Sequence, residues 1–333
     1  MNTQWALETH GDPIMAVDRF IQSVWEASHL EGMLVQLNGD ADQNPRPVWI
    51  TDPQQLARVN PFKPVMTLNA ARLIPERLNS NPGARLGALL RPCEMRALEQ
   101  ISKHDSFSLD DLLTICTDCL GTYPAGEFHW RVERKGSVDQ LSQESLNFAR
   151  LGGISAYRYR SACQMCSAPD ATGADLNIGV LGLPVRKYIL LKARDEATAQ
   201  EVHLDSQPAR QIEPELVAQR EHLLARLAER HNRTRERVLQ GLVDILPANI
   251  DALVSHLEGC GKCQECMLAF PICTVIFPRR MEDGSYLRDD IIRWLMSCAG
   301  CGICEQVCPN HLPLNAIFSY LRQQMSDPLG YLS

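Results

Sequence analysis

Cys298-Ala-Gly-Cys301-Gly-Ile-Cys304-Glu-Gln-Val-Cys308-Pro309 sets four cysteines at C-x2-C-x2-C-x3-C, with a proline directly after the last. This is the spacing of a bacterial-type [4Fe–4S] loop. A cubane takes four soft thiolates converging from several directions. The small residues Ala299, Gly300 and Gly302 let a short loop turn three sulfurs toward one centre. Structural zinc usually takes one C-x2-C pair from each side of its site, so a third cysteine at this spacing is surplus to zinc. Amphipathic helical patterns over 289–296 and 314–325 flank the loop, as a small cluster module requires.

In two-cluster chains the fourth cysteine of such a run ligates the other cluster. A second run stands just upstream: Cys260, Cys263 and Cys266 at C-x2-C-x2-C, then Cys273 after a six-residue gap, with Thr274 in the proline's place. Eight thiolates serve two cubanes. The crossed assignment puts Cys260, Cys263, Cys266 and Cys308 on one cluster and Cys298, Cys301, Cys304 and Cys273 on the other. The uncrossed assignment stays open, because the longer gap is irregular.

The chain has 333 residues, 45% hydrophobic and 22% charged, which suits a soluble globular protein of two domains or a domain with an appendage. Its net charge of −7 and lack of a basic tract argue against a nucleic-acid partner. The N-terminus has no basic and apolar leader pattern, and no apolar run is long enough to span a membrane. Thirteen cysteines, an odd number in a long chain without an export signal, read as reduced, metal-bound thiols in the cytoplasm.

Upstream, helical and strand patterns alternate. Helices are expected over 16–27, 70–78 and from Pro92 through Ile101. Strands are expected over 32–37, 48–51, 85–90, 187–192 and from Leu112 into a loop. The stretch 126–152 is polar and carries no assigned element. From 213 to 257 the pattern is helical, broken at Pro247, and reads as an arm that brings the cysteine-run module onto an α/β body. The organisation expected is an α/β (α+β) body over 1–200, a helical linker over 201–254 and a small α-helical two-cluster module over 255–333.

The α/β part carries five thiols. Cys116 and Cys119 form one C-x2-C pair, at a strand end where α/β sheets carry their sites. Cys163 and Cys166 form another. Two such pairs could make one four-thiolate site for zinc or iron–sulfur. Beside two cluster runs, a third [4Fe–4S] cluster is the favoured reading. Cys93 follows Pro92 at a helix start, where the macrodipole lowers a thiol pKa and favours anions; the alternative is a small packed side chain. It could also replace one of the four. Gly179 and Gly182 form a short glycine loop that permits close backbone approach, though not a dinucleotide fingerprint.

Three segments, Arg91-Pro-Cys-Glu-Met-Arg-Ala-Leu98, Asp118-Cys-Leu-Gly-Thr-Tyr123 and Cys163-Gln-Met-Cys166 followed by 174–179, resemble the beta subunit family of coenzyme F420-dependent hydrogenases and formate dehydrogenases. The region 255–325 is similar to the ferredoxin-type domain of heterodisulfide reductase C subunits. The resemblance implies a flavoprotein-like body that holds FAD and a [4Fe–4S] cluster and passes electrons between a hydride carrier, F420 or NAD, and the catalytic subunit of a redox complex. Pro92, Cys93, Glu94, Gly179 and Gly182 are then the expected flavin surroundings. A heterodisulfide-reductase-like component and a two-cluster relay without flavin are the alternatives.

Overall fold

The computed structural model describes residues 4–39, 45–104, 108–152, 158–204, 209–260 and 263–326. Eight strands form one mixed sheet: β1 (Gln4–Glu8), β2 (Gly32–Val35), β3 (Val48–Ile50), β4 (Leu86–Leu90), β5 (Leu112–Thr117), β6 (Leu176–Gly179), β7 (Tyr188–Ala193) and β8 (Ala209–Gln211). Their order is β3-β2-β4-β5-β6-β7-β1-β8. The centre, β2, β4, β5 and β6, is parallel. β3 closes one edge antiparallel, and β7, β1 and β8 extend the other in antiparallel fashion.

The parallel centre follows from composition. Every residue of β4 (Leu-Gly-Ala-Leu-Leu) and of β5 (Leu-Leu-Thr-Ile-Cys-Thr) is buried, as strands covered on both faces must be. Along β5, Leu113 and Ile115 enter one core with Val17, Phe20, Ile21 and Val24 of the helix Pro13–Ala27. Leu112 and Cys116 enter the opposite core with Leu98 and Ile101 of the helix Pro92–Ser102. That second core continues without a break into the C-terminal part. There Trp294 packs between Phe270 and Phe318, with ring centroids 5.0 and 4.9 Å away.

The expected α/β body is present, with additions. β1 was not foreseen; its register, Gln4 opposite Lys192 and Glu8 opposite Tyr188, comes from a strand far along the chain. The polar stretch after Tyr123 holds two helices, Ala125–Lys135 and Val138–Asn147. Gly136 at φ 88° ends the first, and the Ser137 side chain caps the second by accepting from Gln140 N. The expected arm is two helices, Pro214–Gly241 and Ile250–Gly259, parted around Pro247. No helix among the described residues is long and apolar enough to cross a membrane.

Candidate metal centre

At the C-terminal edge of the parallel strands the chain leaves the sheet through three loops. β4 runs into Arg91, Pro92 and Cys93, β5 into Asp118 and Cys119, and β6 into Val180 and Leu181. Crevices outside this edge are where open α/β sheets hold ligands. A cavity of about 500 Å³ lies here. Cys93, Cys119, Cys163 and Cys166 line it, and Cys301 of the C-terminal module joins the same wall.

Each thiol is set there by local structure. Pro92 opens the helix Pro92–Ser102, and Glu94 closes its first turn by accepting from Arg91 N at 2.8 Å. Cys93 therefore sits on the first turn, facing the cavity. Gly121 takes φ 96°, and a Cβ there would lie 2.5 Å from the Tyr159 ring, so only glycine lets the Cys119 loop pass Tyr159. The short helix Ser161–Gln164 presents Cys163 and leads to Cys166, whose carbonyl bonds the His231 ring.

Cys116 stands apart from this group. It faces the sheet's second core, fully buried, whereas Cys119 lies past the strand end. A C-x2-C that begins inside a strand sends its two side chains to different places. The thiol set at the cavity is Cys93, Cys119, Cys163 and Cys166. Of the expected flavin neighbours, Pro92 and Cys93 line the cavity, while Glu94, Gly179 and Gly182 do not. The Glu94 carboxylate is buried on Arg91 N and Ala70 N. A Cβ on Gly179 or Gly182 would meet Arg220 at 3.0 Å, so these glycines admit the helix Pro214–Gly241, not a ligand.

That helix is fastened by a buried network. Asp118 accepts from the backbone N–H of Ala171, Val180 and Leu181 and from both terminal nitrogens of Arg220, at 2.6 and 2.9 Å. Arg220 also donates to Leu181 O. The pair fixes the loops after β5 and β6 and the cavity's far wall together. On that wall stand Arg230, His231, Thr234 and Arg237.

Burial opposes ionisation of the free thiols at three of the four positions and is overcome at one. Burial pushes Cys119 up to about 12, with Cys163 adding to the rise, and burial likewise raises Cys93 and Cys166. Burial opposes ionisation of Cys163 too, but Arg160 and the hydroxyl and N–H of Thr122 outweigh it and hold the thiol below its ordinary value. Four guanidiniums without a carboxylate partner among the described residues stand beside the cysteines. Arg96 and Arg160 flank the cavity thiols, Arg322 lies by Cys298, and Arg72 feels both Cys273 and Cys301. Of these, Arg160 is buried, and buried cations are ordinarily paired.

The C-terminal run keeps the internal symmetry its spacing implies. Gln264 and Gly302, each following the second cysteine of its run, both take left-handed backbone at φ 47° and 68°. Each opens a four-residue helix that bears the third cysteine, Cys266 or Cys304. Cys263, Cys308 and Cys260 surround Cys266, which burial and these neighbours push up to about 12. Cys260 accepts from the Asn310 amide at 3.6 Å, close to Cys308. Cys304 lies by Cys298 and Cys301, while Cys273 shares Arg72 with Cys301. Among the described residues no three His, Cys, Asp or Glu side chains close around a point the size of one metal ion.

Fold and site together define a mixed α/β body with cysteines gathered at its sheet edge and a helical module that carries two cysteine runs. No family model matches the chain. Over 95% of its length it is 19% identical to the F420-dependent formate dehydrogenase subunit beta of Methanocaldococcus jannaschii, of which it covers 90%. A chain of the F420-reducing [NiFe] hydrogenase complex from Methanosarcina barkeri shares the fold at a TM-score of 0.50 and 14% identity, over 71% of this chain and 91% of that one. The chain thus resembles the group to which the motifs at 91–98, 118–123 and 163–166 pointed.

Proposed function

We propose that the chain is an iron–sulfur electron-transfer subunit of a redox complex. Three [4Fe–4S] clusters would be held by Cys93, Cys119, Cys163 and Cys166, by Cys273, Cys298, Cys301 and Cys304, and by Cys260, Cys263, Cys266 and Cys308. Bound there, the clusters supply one-electron transfer. The observation that carries the reading is the meeting of four thiols at one cavity whose wall includes Cys301 of the next set. The grouping around Cys266 and the position of Arg72 between Cys273 and Cys301 support the crossed ligand assignment. Cys266 also acts on Cys304 and Cys273, so the two C-terminal sets are neighbours. Cys263 is exposed and offers the last set to a partner.

The residues of this chain do the positioning. Arg96 and Arg160 offset the negative charge of the cavity set. Tyr159 and Leu227 wall it off, and the Asp118–Arg220 pair holds the wall shut. Arg230 and Arg237 lack carboxylate partners among the described residues; they favour an anionic hydride carrier at the cavity, of the F420 or NAD kind. The glycines and glutamate expected around FAD are engaged by Arg220 and by the helix start, whereas Pro92 and Cys93 line the cavity, and no step is assigned to a flavin. Anaerobic iron, sulfide and flavin quantification on the purified chain tests the reading. It predicts about twelve iron atoms, three four-iron cubanes. About eight would reduce the protein to a two-cluster relay with a docking body.

A further inference from the structure

We propose that Arg160 is the positioning residue that couples the cavity cluster to the Cys298–Cys304 cluster and sets the reduction potential of the former. The inference rests on the three-cluster reading above. Arg160 is only 5% exposed and has no carboxylate partner among the described residues. Its Nε donates to Thr122 Oγ1 at 2.7 Å, one terminal nitrogen donates to Cys301 O at 2.9 Å, and the other approaches Met66 Sδ at 3.2 Å and Cys163 Sγ at 3.6 Å. The Thr122 hydroxyl accepts from Arg160 and lies 3.2 Å from Cys163 Sγ, within reach to donate to that sulfur as a thiolate. One guanidinium thus touches a ligand of the first set and the backbone of a ligand of the second.

The two loops it joins are packed face to face. A Cβ on Gly302 would lie 2.4 Å from Ala162 Cβ, and Cys93 packs against the small cluster of Met66, Ala269, Cys301 and Ile303. Net charge and hydrogen bonds to sulfur are the protein's levers on cluster potential. A fixed positive charge and a bonded sulfur both favour the added electron, so Arg160 holds the cavity site at a higher potential than its thiols alone would give. Clusters held at both sites would exchange a single electron, with no bond made or broken.

The test is an EPR-monitored redox titration of the anaerobically purified full chain, with the cavity signal identified by its loss in Cys163→Ser. Arg160→Gln should keep its iron and make the cavity cluster about tenfold harder to reduce, or 59 mV for one electron. Arg160→Lys, which keeps the charge, should recover most of that shift. A fully loaded Arg160→Gln protein with every midpoint unchanged would overturn the proposal. Should Arg160→Gln lose the cavity cluster, Thr122→Val decides: a smaller shift in the same direction supports the proposal, and no shift contradicts it. Wild-type protein with only about eight iron atoms, two cubanes, removes the cavity cluster itself and the proposal with it, an outcome separable from an unmoved midpoint.

Discussion

The two cysteine-bearing regions of this molecule are built in opposite ways. In the C-terminal module a left-handed residue follows the second cysteine of each run, Gln264 or Gly302, and each run delivers three sulfurs within seven positions. At the sheet edge, Cys93, Cys119, Cys163 and Cys166 come from three distant segments, and only the parallel order of β4, β5 and β6 brings the loops together. The first region depends on local backbone. The second depends on the whole sheet and on one buried ion pair that clamps its far wall.

The contrast predicts where damage spreads. The largest effect belongs to Trp294, fully buried between Phe270 and Phe318. Trp294→Ala should destabilise by about 3–5 kcal/mol and strip the C-terminal iron; because the core is continuous, denaturant unfolding should stay a single transition. Two separate transitions would show the regions to be independent. Next is Arg220→Met, which strands a buried Asp118 and should cost about 3 kcal/mol. Iron analysis should then show loss of the cavity cluster alone, since the C-terminal runs do not use this pair. Loss of all iron would mean the two regions do not differ as described.

The smallest effect separates the regions by pH. Burial, with Asp139 and Asp12 adding to it, raises the Asp18 carboxyl to about 8 in the body's helix Pro13–Ala27. The folded chain holds this proton to a higher pH than the unfolded chain does, so the body loses stability as pH rises from about 4 to about 8. Asp18→Asn should therefore raise the thermal midpoint by a few degrees at pH 8 and little at pH 4, on the scale of 2–4 °C per kcal/mol for a domain of this size. An equal gain at both values would place the cause outside this carboxyl.

Much of this was legible in the sequence. The C-x2-C-x2-C spacing named the C-terminal thiols because the geometry is local, and the apolar runs of β4 and β5 marked strands. β1 was not legible, since its pairing partner β7 lies far along the chain. The cavity set was half legible. Spacing paired Cys116 with Cys119, but strand alternation turns Cys116 into the core. The usable signal was Pro92: it starts a helix directly after β4 and so puts Cys93 at the same sheet edge as Cys119. The Gly179–Gly182 loop showed that something approaches closely; sequence alone did not show that Arg220 is what approaches.

The central claim is the identity of the fourth thiol at the cavity. It is tested most directly by anaerobic iron and sulfide content of Cys93→Ser and Cys116→Ser, measured beside the unaltered chain. The structure predicts a fall from about twelve iron atoms to about eight in Cys93→Ser, one cubane lost, and no change in Cys116→Ser. A full complement in Cys93→Ser with a loss in Cys116→Ser would contradict it.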